Sequence, residues 1–406
     1  MTARADDLHV VDKDALRKLL GEETSTALSF YFPTNRAAVE PAENSLHLKS
    51  MLSRAEDALD ARGVARPNVC ELLRPLKELI DDADFWLHQW EGLALLRTDS
   101  HTTVVRLPYS VAERCVVGGE LHVKPLFPAM FPDSHYFVLA LSQHTVRLLH
   151  CTRHGARAVD LEPLGIPRSL EEALRYDDLQ KPELQHHPTT GPGRVPVGQA
   201  AADGRSGGNR QHGFHGHGES GEGTKTQIRR YLHAVDAGLS KLLGAQSAPM
   251  IVAAVDYVRA IWRDVSRYRN ILDAGVDGSP DRSSDAQLHE AASPIIERHV
   301  REELRSARDR LAQHHAQGLG STSLENVLEA AHAGRVDTLF VARDVDLWGS
   351  YDFASQTLER HEEPGPDGVE LLDLAARWTF VNSGTVYVCG ANEMAGDAPL
   401  AASFRY

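Results

Sequence analysis

The spacing of apolar residues divides the chain into amphipathic helices and short strands. Apolar residues recur every three or four positions in some segments, which predicts helices, and alternate or run continuously in others, which predicts strands. The predicted helices are 14–20, 46–63, 68–80, 225–243, 257–272, 287–315, 323–334 and 371–378. The predicted strands are 27–32, 85–90, 92–97, 102–107, 136–142, 145–151, 156–161, 250–255, 338–341, 385–389 and 401–404. The predicted fold class is therefore mixed, α/β or α+β.

The order of these elements predicts three domains, since 406 residues are too many for one core. Residues 1–128 form an N-terminal α/β domain. Residues 129–278 hold a three-stranded meander and then helix, strand and helix, which predicts a mixed sheet with helices packed on it. Residues 285–406 alternate helices and strands, which predicts a three-layer α/β sandwich. Between the last two domains, GVDGSPDRSSD (275–285) has the composition of a linker.

The meander and the following helix are separated by a long polar segment, residues 186–224. It reads HHPTTGPGRVPVGQAAADGRSGGNRQHGFHGHGESGEGT, with Phe214 as its one large apolar side chain. Such a segment cannot bury a core of its own, which predicts a long mobile loop. Loops of this length in compact proteins are either functional or disordered. The functional interpretation of the whole chain therefore depends on which of the two this loop is.

Histidine is the residue in this loop best suited to catalysis or metal binding, because imidazole is a base and a metal ligand near neutral pH. The loop has no cysteine and few carboxylates, whereas a structural zinc site needs four ligands on a defined scaffold. We therefore expect no metal site. The chain has no Walker lysine motif, no G-x-S-x-G and no H-E-x-x-H, so no cofactor is expected either. The loop histidines are His186, His187, His212, His215 and His217.

The net charge and the cysteine pattern limit which cellular compartment and which classes of partner fit this chain. The formal net charge of −14 argues against a general nucleic-acid coat and against DNA as a partner, although it leaves room for a local basic face. The four cysteines are scattered, which predicts reduced thiols. The start of the sequence has no apolar signal region, and no apolar run approaches the roughly 20 residues that cross a bilayer. A cytoplasmic protein without a membrane partner is expected.

Basic residues line two predicted helices beside the loop. Lys225, Arg229 and His233 are four residues apart on the first helix, with Arg230 beside them. The second helix repeats that spacing, and the arrangement predicts two basic stripes facing RNA. The alternative is that both stripes are solvated faces paired with acids such as Asp264. The basic residues of the second group are Arg259, Arg263, Arg267 and Arg269.

Several stretches, in order along the chain, resemble the bacterial archaeo-eukaryotic release factor family. They are YFVLALSQHTVRLLHCT, the loop core HGFHGHG with a helix after it, GRVDTLFVA and the closing SFRY. These bacterial proteins are relatives of eukaryotic class-1 release factors and pelota. The resemblance implies three domains: a variable N-terminal domain, an RNase H-like middle domain and a C-terminal domain similar to ribosomal L7Ae/L30e proteins.

The functional loop departs from the family pattern. Release factors carry Gly-Gly-Gln in this loop, which reaches the peptidyl-tRNA ester. Here the matching positions are Gly207-Gly208-Asn209, followed by His212, Gly213, Phe214, His215, Gly216, His217 and Gly218. Glycines let the backbone approach RNA closely, but the catalytic glutamine is absent. His215 and His217 are the candidate general bases, although nothing in the sequence holds either in place.

Two functions from different classes are therefore open. The first is a translation factor that occupies the ribosomal A site, in rescue or hibernation, without hydrolysing peptide; its partners would be rRNA, tRNA and a translational GTPase. The second is an enzyme, either a peptidyl-tRNA hydrolase that uses a loop histidine or a nuclease of the pelota type. An adaptor acting away from ribosomes is a weaker third. The missing glutamine favours binding over hydrolysis, and the lack of a recognisable carboxylate cluster disfavours a metal nuclease.

Overall fold

The structure of the protein is a computed structural model. It describes residues 13–22, 24–34, 41–131, 134–153, 155–174, 220–244, 247–362, 368–390, 393–394 and 397–406. The predicted loop lies outside the described residues up to position 219, so its mobility stays a prediction. In the part of the chain that the structure does describe, no helix is long and apolar enough to span a membrane.

The N-terminal unit is an antiparallel sheet covered on one face by helices. Its strands lie in the order β3-β2-β1-β4. Leu28, Phe30 and Phe32 alternate along β1 and pack against apolar residues of α2 and α3, such as Met51 and Leu73, because alternate residues of a strand share one face. The elements are α1 (Lys13–Gly21), β1 (Ala27–Pro33), α2 (Pro41–Ala61), α3 (Arg66–Glu78), α4 (Ala83–Leu87), β2 (Gly92–Arg97), β3 (Thr102–Leu107) and β4 (Arg114–Gly118).

The prediction of a strand over 85–90 is wrong, because a short helix occupies this place. Asp82 begins α4, and its side chain accepts a hydrogen bond from the Phe85 N–H at 2.9 Å. Trp86 turns inward, and its indole N–H donates to the Leu79 carbonyl at 2.7 Å. A run of aromatic residues was read as a strand, but the cap and the buried indole stabilise a helix. The edge strand β4, which pairs with β1, was not predicted.

The middle unit is a mixed sheet with helices packed on it, as predicted. The strand order is β7-β6-β5-β8-β9; β5, β6 and β7 are antiparallel neighbours, and β8 and β9 run parallel to β5. The helices α5 and α6 cover one face with residues such as Tyr231, Leu232 and Trp262. The elements are β5 (Tyr136–Leu141), β6 (Val146–Thr152), β7 (Gly155–Ala158), α5 (Ser220–Leu243), β8 (Met250–Ala254), α6 (Asp256–Val265) and β9 (Val276–Asp277).

Two predictions after β8 need correction. Helix α6 ends at Val265 rather than at 272, because the next residues turn away to bind Asp236 of α5. The segment 275–285 is more than a linker, since β9 pairs with β8 and completes the sheet. Arg147 of β6 anchors the rest of this segment, donating to the carbonyls of Pro280 and Ser283 at 2.8 and 2.9 Å.

The C-terminal unit has a four-stranded and a three-stranded sheet. The first has the order β10-β16-β11-β15, and the second, β13-β12-β14, was not predicted. A capping box at Ser284 and Gln287 starts the long helix α7. The elements are α7 (Asp285–Ala316), β10 (Gly320–Ser321), α8 (Leu324–His332), β11 (Val336–Ala342), β12 (Trp348–Asp352), β13 (Thr357–His361), β14 (Val369–Glu370), α9 (Leu371–Val381), β15 (Thr385–Cys389) and β16 (Leu400–Phe404).

Hydrophobic packing joins these units closely. The first half of α7 packs on the middle sheet through Leu288 and Ile296, and its second half packs on the C-terminal sheet through Leu311. The other face of the N-terminal sheet shares one hydrophobic core with α8, α9 and the C-terminal strands. The mixed α/β class is confirmed. The RNase H-like and L7Ae/L30e-like descriptions and the domain boundaries stay predictions.

Candidate nucleic-acid interface

The basic residues predicted on α5 are exposed beside the functional loop. Ile228, Tyr231, Leu232 and Val235 turn toward the sheet and are buried. The 3.6-residue period of the helix then places the intervening positions on the opposite side, toward solvent. That exposed side carries Lys225, Arg229, Arg230 and His233. All four residues are exposed, and the RNA binding predicted for them stays a prediction.

Arg229 also forms an ion pair with the neighbouring helix. Its guanidinium lies 3.0 Å from a carboxylate oxygen of Asp264, and both side chains are more than half exposed. Exposed ion pairs contribute roughly 0–1 kcal/mol to stability, because water screens them and both side chains lose conformational freedom. Asp264 is the acid that the sequence pointed to as an alternative partner. A phosphate group could replace it at little energetic cost.

Arg259 is held inside the middle unit. Its guanidinium bridges the carboxylates of Asp256 at 2.7 Å and Asp277 at 2.6 Å, and only 17 % of the side chain is exposed. Asp277 belongs to β9, so this residue attaches α6 to the edge strand of the sheet. The geometry gives Arg259 a structural task that the sequence pattern did not indicate.

Arg263 and Arg267 are likewise engaged within the unit. Arg263 donates to the carbonyls of Leu272 and Asp273. Arg267 lies beyond the end of α6, and its Nε donates to Asp236 at 2.7 Å. Asp236 is buried, and it accepts a second hydrogen bond from the Arg267 backbone N–H at 2.9 Å. A buried carboxylate needs such partners, because removing it from water is costly.

The two basic stripes therefore differ in structure. The first carries its charges on the exposed side of α5, where Arg229 pairs with Asp264. In the second, Arg259, Arg263 and Arg267 bind acids and carbonyls of their own unit, and of these three only Arg259 is mostly buried. Arg269 is exposed and lies at the edge of a cavity described below. The equal four-residue spacing of the two stripes could not reveal this difference, because the partners Asp236 and Asp277 lie on other elements.

The candidate catalytic residues His215 and His217 lie outside the described residues, as do all the loop positions from Gly207 to Gly218. The structure thus adds no geometry for a general base there. Among the residues that are described, no group of three or more His, Cys, Asp or Glu side chains is arranged to hold a metal ion. The four cysteines are free thiols, and Cys151 and Cys389 are buried.

A buried cluster of charged residues that the sequence analysis missed joins the N-terminal and C-terminal units; we call it the junction cluster. Lys124 lies 3.1 Å from Glu370 and 3.2 Å from Asp346, and its side chain is only 3 % exposed. Asp373 accepts hydrogen bonds from the backbone N–H groups of Val123 and Lys124. The partners are more than 200 positions apart in sequence, so no local signal could have found them.

Burial disfavours the charged forms of two other titratable groups of the junction cluster. Burial, and then the neighbouring Glu370 carboxylate, raises the pKa of Asp373 to about 7 against the opposing effect of its two backbone donors. Burial, and then the nearby Arg114 and Lys124 cations, lowers the pKa of His122 well below its ordinary value. His122 Nδ1 lies 3.4 Å from Asp373 Oδ1. The contacts of the cluster join the N-terminal unit to the C-terminal unit.

Comparison with known proteins confirms the resemblance read from the sequence. Residues 135–335 match the model of the bacterial archaeo-eukaryotic release factor family 3. This segment includes the middle sheet, the functional loop, α5 and α7. The chain is thus release-factor-like over the part that carries the candidate interface. A comparison with curated proteins finds no match.

Solved archaeal structures are similar to the chain at low identity. The crystal structure of the archaeal translation termination factor aRF1 has 12 % identity, a TM-score of 0.23, and coverage of 100 % of this chain and 99 % of its own. A model of ribosome-bound archaeal Pelota and ABCE1 has 10 % identity and a TM-score of 0.38, and the match covers 100 % of this chain and 95 % of that one. The crystal structure of Pelota from Archaeoglobus fulgidus has 12 % identity and a TM-score of 0.25, and the match covers 100 % of this chain and 93 % of that one. At these values the likeness says nothing about individual residues or activity.

Proposed function

We propose that this chain is a translation factor of the release-factor and pelota type that binds the ribosomal A site and does not release peptide. The observation that carries the proposal is the family match over residues 135–335, which contain both the loop and the basic helix after it. A release factor acts where its loop enters the peptidyl-transferase centre. The loop of this chain keeps the glycines and lacks the glutamine of Gly-Gly-Gln.

The exposed face of α5 supports ribosome binding. It begins next to the loop, and Lys225, Arg229, Arg230 and His233 all face solvent there. Cations presented along one helix face are suited to the phosphates of rRNA or tRNA, because neutralising phosphates releases condensed counterions. The overall net charge of −14 makes this local face specific rather than a general attraction to nucleic acid.

Binding without hydrolysis is favoured over the enzymatic alternative by the loop sequence. Asn209 is one methylene shorter than glutamine and stands upstream of HGFHGHG. Oriented catalysis is sensitive to displacements of about 1 Å, so a shifted amide is a poor replacement. The same reasoning favours a role in occupying stalled or idle ribosomes, in rescue or hibernation, with a translational GTPase as the candidate for delivery.

Co-sedimentation with ribosomes in sucrose gradients tests the proposal. We expect the purified full chain to move with 70S ribosomes, with an affinity that falls steeply as salt rises. Lys225→Glu should weaken this binding at least fivefold. Lys241→Glu is the matched control, because it reverses the same charge on the same helix about 24 Å further from the loop. If the chain stays at the top of the gradient at low salt with ribosomes from growing cells and also with ribosomes from starved cells, ribosome binding is contradicted.

A further inference from the structure

Residues of the three units line an open cavity of about 870 Å³ that the proposed ribosomal role does not use. Its walls come from α1, from the segment 127–131, from the middle unit at 247–249 and 269–272, from α7 at His299 and Glu303, and from 383–387. Interdomain cavities of this size are common places for small-molecule sites. Its lining combines an aromatic wall with a cationic rim, and these two features together indicate the chemistry of its ligand.

The aromatic wall belongs to the N-terminal and C-terminal units. Phe131 is partly exposed and is stacked on Tyr387, with ring centroids 5.2 Å apart. Phe127 and Phe380 continue the wall with an edge-to-face contact at 5.5 Å. Flat aromatic surfaces of this kind stack favourably on planar ring systems such as nucleobases.

The cationic rim comes from three other elements. Lys13 and Arg17 lie on α1, Arg269 lies on the loop after α6, and His299 lies on α7. Arg17 is already engaged by Asp14 at 2.9 Å and by the Phe380 carbonyl, which leaves Lys13 and Arg269 as the stronger anchors for an anion. Partial desolvation, and then the Arg17 cation, lowers the pKa of the Lys13 ammonium, and a bound anion would relieve this crowding of charge.

His135 supplies a polar group that the described part of the protein leaves unused. This residue lines the cavity, and its Nδ1 atom is buried and has no hydrogen-bond partner among the described residues. Burial, and then the nearby Lys13, lowers the pKa of His135 to about 4, so the ring is neutral at pH 7. A buried polar atom without a partner is destabilising, and a ligand hydroxyl would supply the missing partner.

We propose that this cavity binds a nucleoside phosphate, with the base against Phe131, the phosphate between Lys13 and Arg269, and a ribose hydroxyl at His135 Nδ1. Each part of such a ligand matches a group already on the wall. Glu303, the carboxylate beside Lys13, and Asp14 also line the cavity, and they limit the negative charge that the site accepts. The site joins residues of all three units, so its occupancy stabilises their relative arrangement. This inference does not depend on ribosome binding.

Isothermal titration calorimetry of the full chain with GMP, GDP, AMP and ADP tests the proposal. Inorganic phosphate, ribose 5-phosphate and the free nucleosides are the matched probes. We expect at least one nucleotide to bind with a Kd below 100 μM, at least tenfold more tightly than phosphate or its nucleoside. No nucleotide binding at 1 mM would overturn the proposal. Equal binding of phosphate and nucleotide would leave an anion site only and would also overturn it.

Variants locate the site. Lys13→Gln and Arg269→Gln should each weaken nucleotide binding about tenfold, and Arg269→Lys should recover part of the loss. Lys18→Gln and Arg282→Gln are the controls, because both cations are exposed and neither lines the cavity. Glu303→Gln should strengthen binding about threefold, which simple loss of structure would not do.

The aromatic contact has its own test. Phe131→Leu keeps an apolar side chain and should weaken nucleotide binding at least fivefold without changing the binding of phosphate. Circular dichroism confirms that each variant is folded. Nucleotide binding that none of these cavity variants alters would place the ligand elsewhere and would overturn the assignment.

Discussion

The Lys124 ammonium lies 3.1 Å from the Glu370 carboxylate, and both side chains are almost completely removed from solvent. Lys124 stands at the end of the N-terminal unit, whereas Glu370 is the residue that caps α9 in the C-terminal unit. The Glu370 carboxylate also accepts hydrogen bonds from the backbone N–H groups of Leu372 and Asp373. The Lys124–Glu370 ion pair therefore involves the same carboxylate that caps α9, and it joins the N-terminal unit to the C-terminal unit at the start of that helix.

Glu370→Gln should lower the free energy of unfolding by about 3 kcal/mol, because the buried Lys124 ammonium loses its fully buried partner and keeps only the partly exposed Asp346 within 3.2 Å. Urea denaturation at pH 7.5 measures the change. Glu329→Gln is the control, since it breaks the partly exposed pair with Arg335 at 3.0 Å and should cost less than about 1 kcal/mol. Equal losses in the two variants would show that the buried pair has no special weight.

Asp373 should make stability depend on pH. Its pKa is about 7 in the folded protein and near the ordinary value of 3.8 in the unfolded chain, so between these values the folded state binds more protons. The stability from this group is fully present below about pH 4 and is lost as pH rises through about 7. Asp373→Asn keeps an acceptor for the two backbone donors but does not titrate.

The stability of Asp373→Asn relative to the original protein should therefore increase from pH 5 to pH 8, with a slope of at most about 1.4 kcal/mol per pH unit. His122 is present in both proteins, and its opposite effect largely cancels from the difference. Thermal unfolding across this pH range provides the measurement. A relative stability that falls as pH rises would show that Asp373 is ionised in the folded state.

Asp236→Ala should destabilise the middle unit by about 2–3 kcal/mol. The substitution removes a buried carboxylate that accepts bonds from Arg267 and from the Ser266 hydroxyl at 3.3 Å, leaving the Arg267 backbone N–H without its acceptor. Asp264→Ala, which removes only the exposed pair with Arg229, should cost less than about 1 kcal/mol. Hydrogen exchange of the α5 amides reports the local loss. Faster exchange in Asp264→Ala than in Asp236→Ala would reverse the expected order.

The full chain, added to ribosomes that carry peptidyl-tRNA, should bind without releasing peptide above background. The loop lacks the glutamine that places water at the ester, and no histidine is fixed in position by the sequence around it. Release of labelled peptide, with a release factor as the positive control, provides the measurement. If peptide is released and His215→Ala or His217→Ala abolishes that release, a histidine is the base and the binding-only proposal is wrong.

Local patterns identified most of the secondary structure. The strand at Thr385–Cys389 lies where the sequence predicted it, and α8 lies within the predicted helix 323–334. The strand over 85–90 failed because aromatic residues serve both strands and buried helices, and only packing decides between the two. The hairpin β12–β13 was not predicted, because its residues are mostly exposed or partly exposed and show no continuous apolar pattern.

By itself, the sequence determined the elements with a buried face, the polar Gly/His loop, the exposed basic face of α5 and the resemblance to release factors. These features depend on residues close together in the chain. The tertiary structure alone decided that Arg259 and Arg267 bind acids, that 275–285 contributes a strand, and that Lys124, Glu370 and Asp373 meet in one cluster. Those outcomes depend on partners brought together from distant positions, and a periodic pattern carries no information about which distant side chain will neutralise a given charge.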